Sequence, residues 1–182
     1  MIGETPSAWV VRWTAELAGG ASVLDVACGA GRHARLLAAH GCKVTAVDRD
    51  RAALELASES NVDFIQADLE AAAWPFADRQ FDAIIVTNYL HRPLFPALKS
   101  ALAPGGLLIY ETFAAGNAAF GRPTNPDFLL RPRELLEVFG SDMRVLAFED
   151  GFVAQPQRAM VQRIAARKGD VAAVLAADKC HL

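Results

Sequence analysis

Apolar residues in this chain fall either at helical spacing or in short unbroken runs, and the two patterns alternate. Behind Pro6-Ser7, the residues Trp9, Trp13 and Leu17 stand at i, i+4 and i+8, which predicts an amphipathic helix packed on the core and ending at Gly19-Gly20. The run 23–27 predicts a first strand, 32–40 a helix with Gly41 in the C′ position, and 43–47 a second strand ending at Asp48. Asp50 reads as the cap of a helix reaching about Ser58, and 63–66 as a third strand ending at Asp68. After a loop over 71–78 with Trp74-Pro75-Phe76, the dense apolar run 81–87 is that of a strand covered on both faces of a parallel sheet.

A helix over 93–102, broken by Pro104-Gly105-Gly106, precedes a strand over 107–112. The long irregular stretch 114–131 carries Gly116, Gly121, Pro123 and Pro126, and connections of this length in small domains are functional or disordered. A helix at 133–139 leads to strands at 144–149 and 159–165. A turn containing Asp150-Gly151 joins them, so they read as an antiparallel pair, and a short helix over 170–177 follows.

Strands alternating with helices from 22 to 140 predict an α/β fold, a parallel sheet with helices on both faces, in a single domain over 1–182. Ligands of such sheets bind beyond the carboxyl ends of the strands, where strand order reverses. The residues just after the strands are therefore the candidates: 25–31, then Asp48, then Asp68-Leu69, then Asn88-Tyr89-Leu90-His91, then Glu111-Thr112. Gly29 and Gly31 let backbone N–H groups and a helix start approach a polar ligand, because no Cβ intervenes. At the end of the second strand a carboxylate such as Asp48 can accept both hydrogen bonds of a ribose diol, which points to a nucleoside; its other role is to cap the next helix. Asp68 is either a second ligand contact or the start of a loop. Gly29-x-Gly31-x-x-Ala34 also satisfies the dinucleotide fingerprint, but Asp25, inside the end of strand one, suits a site facing a cation rather than a pyrophosphate.

Composition narrows the partners. Apolar residues make up 53% and charged residues 21%, as in an ordinary folded domain, and a net charge of −3 supplies no general attraction to phosphate backbones or anionic lipid. Nucleic acid is disfavoured as a partner. Cys28, Cys42 and Cys180 form no C-x-x-C pair, which fits a reducing compartment. With no signal-peptide pattern at the N-terminus and no run of membrane-spanning length, a soluble, cytoplasmic protein is expected.

The chain also resembles a family. Val23-Leu24-Asp25-Val26-Ala27-Cys28-Gly29-Ala30-Gly31, Val44-Thr45-Ala46-Val47-Asp48, Ile65-Gln66-Ala67-Asp68, Phe81-Asp82-Ala83-Ile84-Ile85 and Leu102-Ala103-Pro104-Gly105-Gly106 look, in this order, like the motifs of the class I S-adenosylmethionine-dependent methyltransferases. The small bacterial tellurite-resistance methyltransferases are the most similar, through the compact core and Tyr110-Glu111-Thr112-Phe113. The resemblance implies a Rossmann-like, seven-stranded, mostly parallel sheet of order 3-2-1-4-5-7-6 with strand 7 antiparallel. It also implies that S-adenosyl-L-methionine is the cofactor and S-adenosyl-L-homocysteine the product. Asp25 and the turn Ala27, Cys28, Gly29, Gly31 would hold the methionine and ribose region, and Asp48, with Arg49 beside it, the ribose hydroxyls. Asp68 would reach the adenine amino group with Leu69 beside the ring, and Asn88 would mark the methionine end. Ala27 departs from the family, which has a first glycine there.

Direct methyl transfer needs no covalent enzyme intermediate, and much of it can come from holding donor and acceptor in line. Tyr89, His91 and Tyr110 are the candidates for positioning or deprotonating an acceptor, and imidazole is the side chain that titrates nearest neutral pH. Arg92, Arg122 and Arg131 are candidates for clamping an anionic acceptor. His33 reads as a packing or capping residue, and Cys28 as part of the turn, with no base placed beside it. His33, His40, His91 and His181 show no metal-ligand spacing, so no metal is expected.

No Asn/Asp-Pro-Pro-aromatic motif follows strand four and no basic stripe with interleaved aromatics occurs. A small-molecule acceptor under the 114–131 loop is therefore the first reading. A macromolecule-modifying enzyme or non-catalytic partner subunit is the second, and a nicotinamide-binding module the third.

Overall fold

A computed structural model of the chain describes residues 5–51 and 62–169. Its centre is one seven-stranded sheet of β1 (Ser22–Val26), β2 (Lys43–Asp48), β3 (Val62–Gln66), β4 (Phe81–Thr87), β5 (Leu102–Phe113), β6 (Met143–Val153) and β7 (Ala159–Lys168), in the order β3-β2-β1-β4-β5-β7-β6. The first five are parallel to one another, and β7 runs antiparallel between β5 and β6. The order reverses at β1, since β2 leaves on one side of it and β4 on the other, and this opens a crevice at the carboxyl ends.

Alternation along each strand sends neighbouring side chains to opposite faces. On one face Val23, Ala46, Ile85 and Ile109 pack under α1 (Ala8–Thr14) and α2 (Arg32–Ala39), which contribute Trp9, Trp13 and Leu37. On the other, Leu24, Val86, Leu108 and Tyr110 pack under α3 (Phe95–Ala101) and α4 (Glu134–Phe139). Phe95, Tyr110 and Phe139 form a ring cluster there, with centroids 5.4 to 6.2 Å apart. A fully buried side chain of this size contributes about 1.5–3 kcal/mol, so these rows hold the helices to the sheet.

Several boundaries differ from the sequence expectation. β5 begins at Leu102 rather than 107, because Pro104-Gly105-Gly106 lies inside the strand as a register shift: Phe81 pairs with Leu102 and Ala83 already with Leu107. A Cβ on Gly106 would stand 2.8 Å from the Ala103 carbonyl oxygen, so glycine is required at that fold-back. Asp150-Gly151 is not the β6–β7 turn; both residues stay in the ladder, opposite Gln162 and Val161, and the chain reverses at 154–158. Asp150 is kept there by the Arg133 amide, which donates to its carboxylate at 3.0 Å.

The stretch 114–131 is tied down rather than loose. Leu130 N–H donates to the Phe113 carbonyl, and the buried Asn117 accepts from Met160 N–H and donates to the Pro123 carbonyl. The expected helices over 50–58 and 170–177, with Cys180 and His181, lie outside the described residues apart from Asp50 and Arg51. Among the described residues no helix is long and apolar enough to cross a membrane.

Candidate functional site

Backbone shape makes the site before any side chain does. β1 ends in a turn where Ala27 (φ 53°), Gly29 (φ 53°) and Gly31 (φ 73°) adopt left-handed conformations, two at glycines that take them without a Cβ penalty. Cys28 N–H still donates to the Val47 carbonyl at 3.0 Å, so the turn begins as an extension of the sheet before Gly31 caps α2. A Cβ at Gly29 would meet nothing within 4 Å, since this residue faces open space.

That space is a cavity of about 620 Å³ at the ends of β1 to β4, within the range of small-ligand sites. Asp48 stands in its wall. One carboxylate oxygen accepts the Gly29 amide at 2.8 Å and the other the Asp50 amide at 2.9 Å. Each oxygen keeps lone-pair capacity, so Asp48 both shapes the turn and presents two acceptors to a ligand. Asp68 accepts the Glu70 and Ala71 amides through Oδ1, at 2.9 and 3.2 Å, which bends the chain after β3 and sets the buried Leu69 in the wall. Arg49, Cys28, Ala27 and Asn88 line the same cavity, Asn88 with φ 54° and its amide donating to the Glu111 carbonyl at 2.9 Å. The structure thus brings eight of the ten sequence candidates for cofactor contact to one cavity; Gly31 caps α2 behind the turn.

The tenth, Asp25, does not line the cavity. It is 1% exposed, and neither oxygen has a hydrogen-bond partner among the described residues. Burial pushes its carboxyl up to about 7, against the pull of the nearby Ala34 amide and the Arg32 guanidinium and with a further push from Asp48. Its position inside β1, on the face under α2, explains the difference: the chain turns away from the sheet only at Ala27. Cys28 is buried, and desolvation followed by the charges of Asp25 and Asp48 holds its thiol far above the usual range, so it stays protonated.

The acceptor-side candidates separate. Tyr89 lines the cavity, and burial, then the charges of Glu70 and Asp68, push its phenol up. Tyr110 is a correction: it is 1% exposed in the core, its hydroxyl donates to the Tyr89 carbonyl at 3.0 Å, and burial pushes its phenol up. It holds the loop that carries Tyr89. Arg92 is likewise occupied, by both oxygens of Glu134 and by the carbonyls of Asp127 and Leu129, so it is a structural tie rather than an acceptor clamp. His91 is half-buried just before the turn at Arg92–Leu94, outside the cavity wall. Arg122 is exposed, Arg131 is exposed and paired with Glu134 at 3.3 Å, and no residue of 114–131 lines the cavity.

Sequence reasoning missed Thr87, Arg32 and Glu70 in the wall. Thr87 had a signal: it is the last residue of the β4 run, one position before the stretch taken as the strand end. Among the described residues no group of three or more potential ligands could hold a metal ion.

The residues present fit a nucleoside carrying an amino-acid tail: a paired acceptor for a diol, an apolar wall at Leu69 for a base, and a glycine turn open to the ligand. Residues 23–106 match the family model described as a methyltransferase domain. Trans-aconitate 2-methyltransferase of Paracidovorax citrulli is 35% identical over 105 residues, covering 52% of this chain and 40% of that protein. Demethylmenaquinone methyltransferase of Renibacterium salmoninarum is 34% identical over 121 residues, 62% of this chain and 49% of that protein. The chain thus spans half or less of the length of these curated relatives. The crystal structure of TehB from Haemophilus influenzae is similar with a TM-score of 0.76 at 20% identity, covering 90% of this chain and 63% of that one. The glycine turn tied to the acid of β2 thus lies within the residues that match a methyltransferase domain, in a sheet whose fold is similar to that of TehB.

Proposed function

We propose that this chain binds S-adenosylmethionine across the carboxyl ends of β1 to β4 and transfers its methyl group to a small-molecule acceptor. The observation that carries the reading is Asp48, whose two oxygens are each oriented by one backbone amide while facing a cavity of about 620 Å³. In this reading Asp48 accepts the ribose hydroxyls, with Arg49 at the rim. Asp68 accepts from the adenine amino group, Leu69 lies against the ring, and the turn from Ala27 to Gly31 with Asn88 borders the methionine end. The bound cofactor supplies a methyl group on a positively charged sulfur, which keeps the bonding electron pair when the methyl passes to the acceptor.

The chain's own contribution is placement. Alignment of reacting groups is worth up to roughly 7–11 kcal/mol, and no covalent intermediate is called for. Tyr89, protonated and in the cavity wall, donates a hydrogen bond to the acceptor, while His91, two residues on and outside that wall, is the imidazole we assign to take up its proton. Arg122, exposed, is the cation offered to an anionic acceptor, with Arg131, exposed and already paired with Glu134 at 3.3 Å, as the second. The names of the two curated relatives, one a methyltransferase of trans-aconitate and one of demethylmenaquinone, support a small molecule. The reading also puts the protein in the cytoplasm.

Calorimetry with S-adenosylmethionine, S-adenosylhomocysteine and NAD tests the cofactor. Micromolar binding of the first two is expected, and heat from NAD alone overturns the reading. Incubation of a cell extract with the methyl-labelled cofactor tests the acceptor: label in low-mass material is expected, and label confined to protein or RNA overturns the small-molecule assignment.

A further inference from the structure

Exposed apolar bulk gathers at one end of the molecule. Among the described residues the large apolar side chains left exposed are Val11, Phe120, Phe128 and Phe152, and three of these four are phenylalanines of the 114–131 segment and of the end of β6. Phe120 and Phe152 meet across the two elements with ring centroids 5.1 Å apart, and the exposed Arg158 guanidinium lies over both, 5.4 Å from the first and 5.7 Å from the second. The buried Asn117 fixes the segment beneath them: it accepts the Met160 amide of β7 at 3.2 Å and donates to the Pro123 carbonyl at 3.1 Å. Apart from the two rings, Arg158 has no partner among the described residues, and Arg122, the exposed cation two residues past Phe120, has none. The acids nearest Phe152 in the chain are engaged elsewhere, Glu149 by Arg163 at 3.1 Å and Asp150 by the Arg133 amide at 3.0 Å. Val153 at the end of β6 pairs with Ala159 at the start of β7, and Phe113 at the end of β5 pairs with Val161, so the patch stands on the carboxyl edge of the sheet, where the cavity also opens.

We propose that Phe120, Phe152 and Arg158 are the docking platform of the methyl acceptor and that they select an elongated aromatic acid. Its anionic group lies on Arg158 and its rings on the two phenylalanines. Its methyl-accepting atom lies toward the cavity, since β4 is two strand spacings from β7, roughly 10 Å. A guanidinium seated on aromatic rings is fixed in place while its N–H fork stays unspent, which suits two-point capture of a carboxylate. Two rings held against water gain most from a third flat ring laid on them. The proposal rests on the small-molecule reading above and adds to it the class of that molecule.

NMR signals of the Phe120 and Phe152 rings and of the Arg158 side chain test it, followed while naphthoate or the uncharged naphthylmethanol is added to the protein with S-adenosylhomocysteine present. Naphthoate should shift all three and bind about tenfold more tightly than the alcohol, the size of one hydrogen bond to a charged group. Arg158→Gln should remove that preference and Phe152→Ala should weaken both probes. Calorimetric affinity for S-adenosylhomocysteine should stay unchanged in both variants, which also shows that they fold. With methyl-labelled cofactor and cell extract, naphthoate should lower incorporation into low-mass material, and Arg158→Gln should reduce it severalfold. Equal binding of acid and alcohol, shifts away from the patch, or naphthoate binding that leaves incorporation unchanged overturns the proposal. Concentration-dependent self-association lost in Phe152→Ala assigns the patch to a second copy of the chain and overturns it as well. Failure of the unaltered protein to bind S-adenosylhomocysteine overturns the cofactor reading instead, an outcome separate from the probe shifts.

Discussion

Arg92 and Glu134 face each other across the ends of β4 and α4 in a two-point ion pair, Nε to Oε1 at 2.7 Å and Nη2 to Oε2 at 3.0 Å. The Glu134 side chain is 3% exposed and that of Arg92 34%, and the remaining guanidinium hydrogens hold the carbonyls of Asp127 and Leu129. Removing one partner of such a pair leaves a buried charge short of its counter-ion. Arg92→Met is therefore expected to cost about 3 kcal/mol in urea denaturation, the low end of the range for a buried pair because Arg92 is partly wet. A loss under about 1 kcal/mol would make the tie a surface contact.

Asp48 should matter to binding more than to folding. With Asp48→Ala the Gly29 amide loses its acceptor and the ligand loses both oxygens, so affinity for S-adenosylhomocysteine should fall more than tenfold by calorimetry. Asp48→Asn keeps one acceptor oxygen and should lose less. Equal affinity in all three proteins would take Asp48 out of the site.

Ala27 is a non-glycine residue at φ 53°. The left-handed conformation costs an L-residue roughly 1–2 kcal/mol, and glycine returns about 0.5–1 kcal/mol of that through its freer unfolded chain. Ala27→Gly should therefore stabilise the protein by up to about 1 kcal/mol in equilibrium denaturation. Destabilisation would mean that the methyl group does more for packing than the backbone loses.

Acid titrates two buried groups in opposite directions. Burial, then the Arg32 charge, lowers His33 from 6.5 to about 3, so between those values the unfolded chain binds a proton that the folded chain refuses, and stability declines as pH falls through the window. Asp25 is raised from 3.8 to about 7, so over that range the folded chain holds the extra proton and stability declines as pH rises. Between about pH 4 and 6.5 the two slopes oppose each other and the profile should be flat. Asp25→Asn should expose the His33 slope, about 1.4 kcal/mol lost per pH unit on acidification. Burial works to raise Glu134, but the Arg92 hydrogen bonds and the Arg131 contacts win and hold it at about 2. Its contribution is present above 4.5 and is lost below, so a further decline on the acid side is expected, which Glu134→Gln should remove. Urea denaturation at a series of pH values distinguishes these cases, and a steep slope in the unaltered protein would contradict the opposition.

Much of this was legible along the chain because it depends on local pattern. The run Phe81–Thr87 is apolar because a central parallel strand is covered on both faces, and Gly29 and Gly31 mark a turn whose backbone angles suit glycine. The place of an acid at the end of β2 in the wall of the cavity was readable for the same reason, since strand ends in a parallel sheet all open on one edge. Asp150-Gly151 misled because a good turn pair was held in the ladder by a partner, the Arg133 amide, seventeen residues away in sequence.

By itself, then, the order of apolar runs and glycines determined the sheet, its open edge, and the acids and small residues that meet there, because each follows from spacing within a few residues. Only the tertiary structure decided which candidates face the cavity and which are spent on the fold. Arg92 was taken by Glu134 from forty-two positions away, Tyr110 by the Tyr89 carbonyl, and Asp25 by the shelter of α2. A polar side chain's chemistry is set by the partner that reaches it, and partners brought together by folding leave no mark in the spacing of the chain.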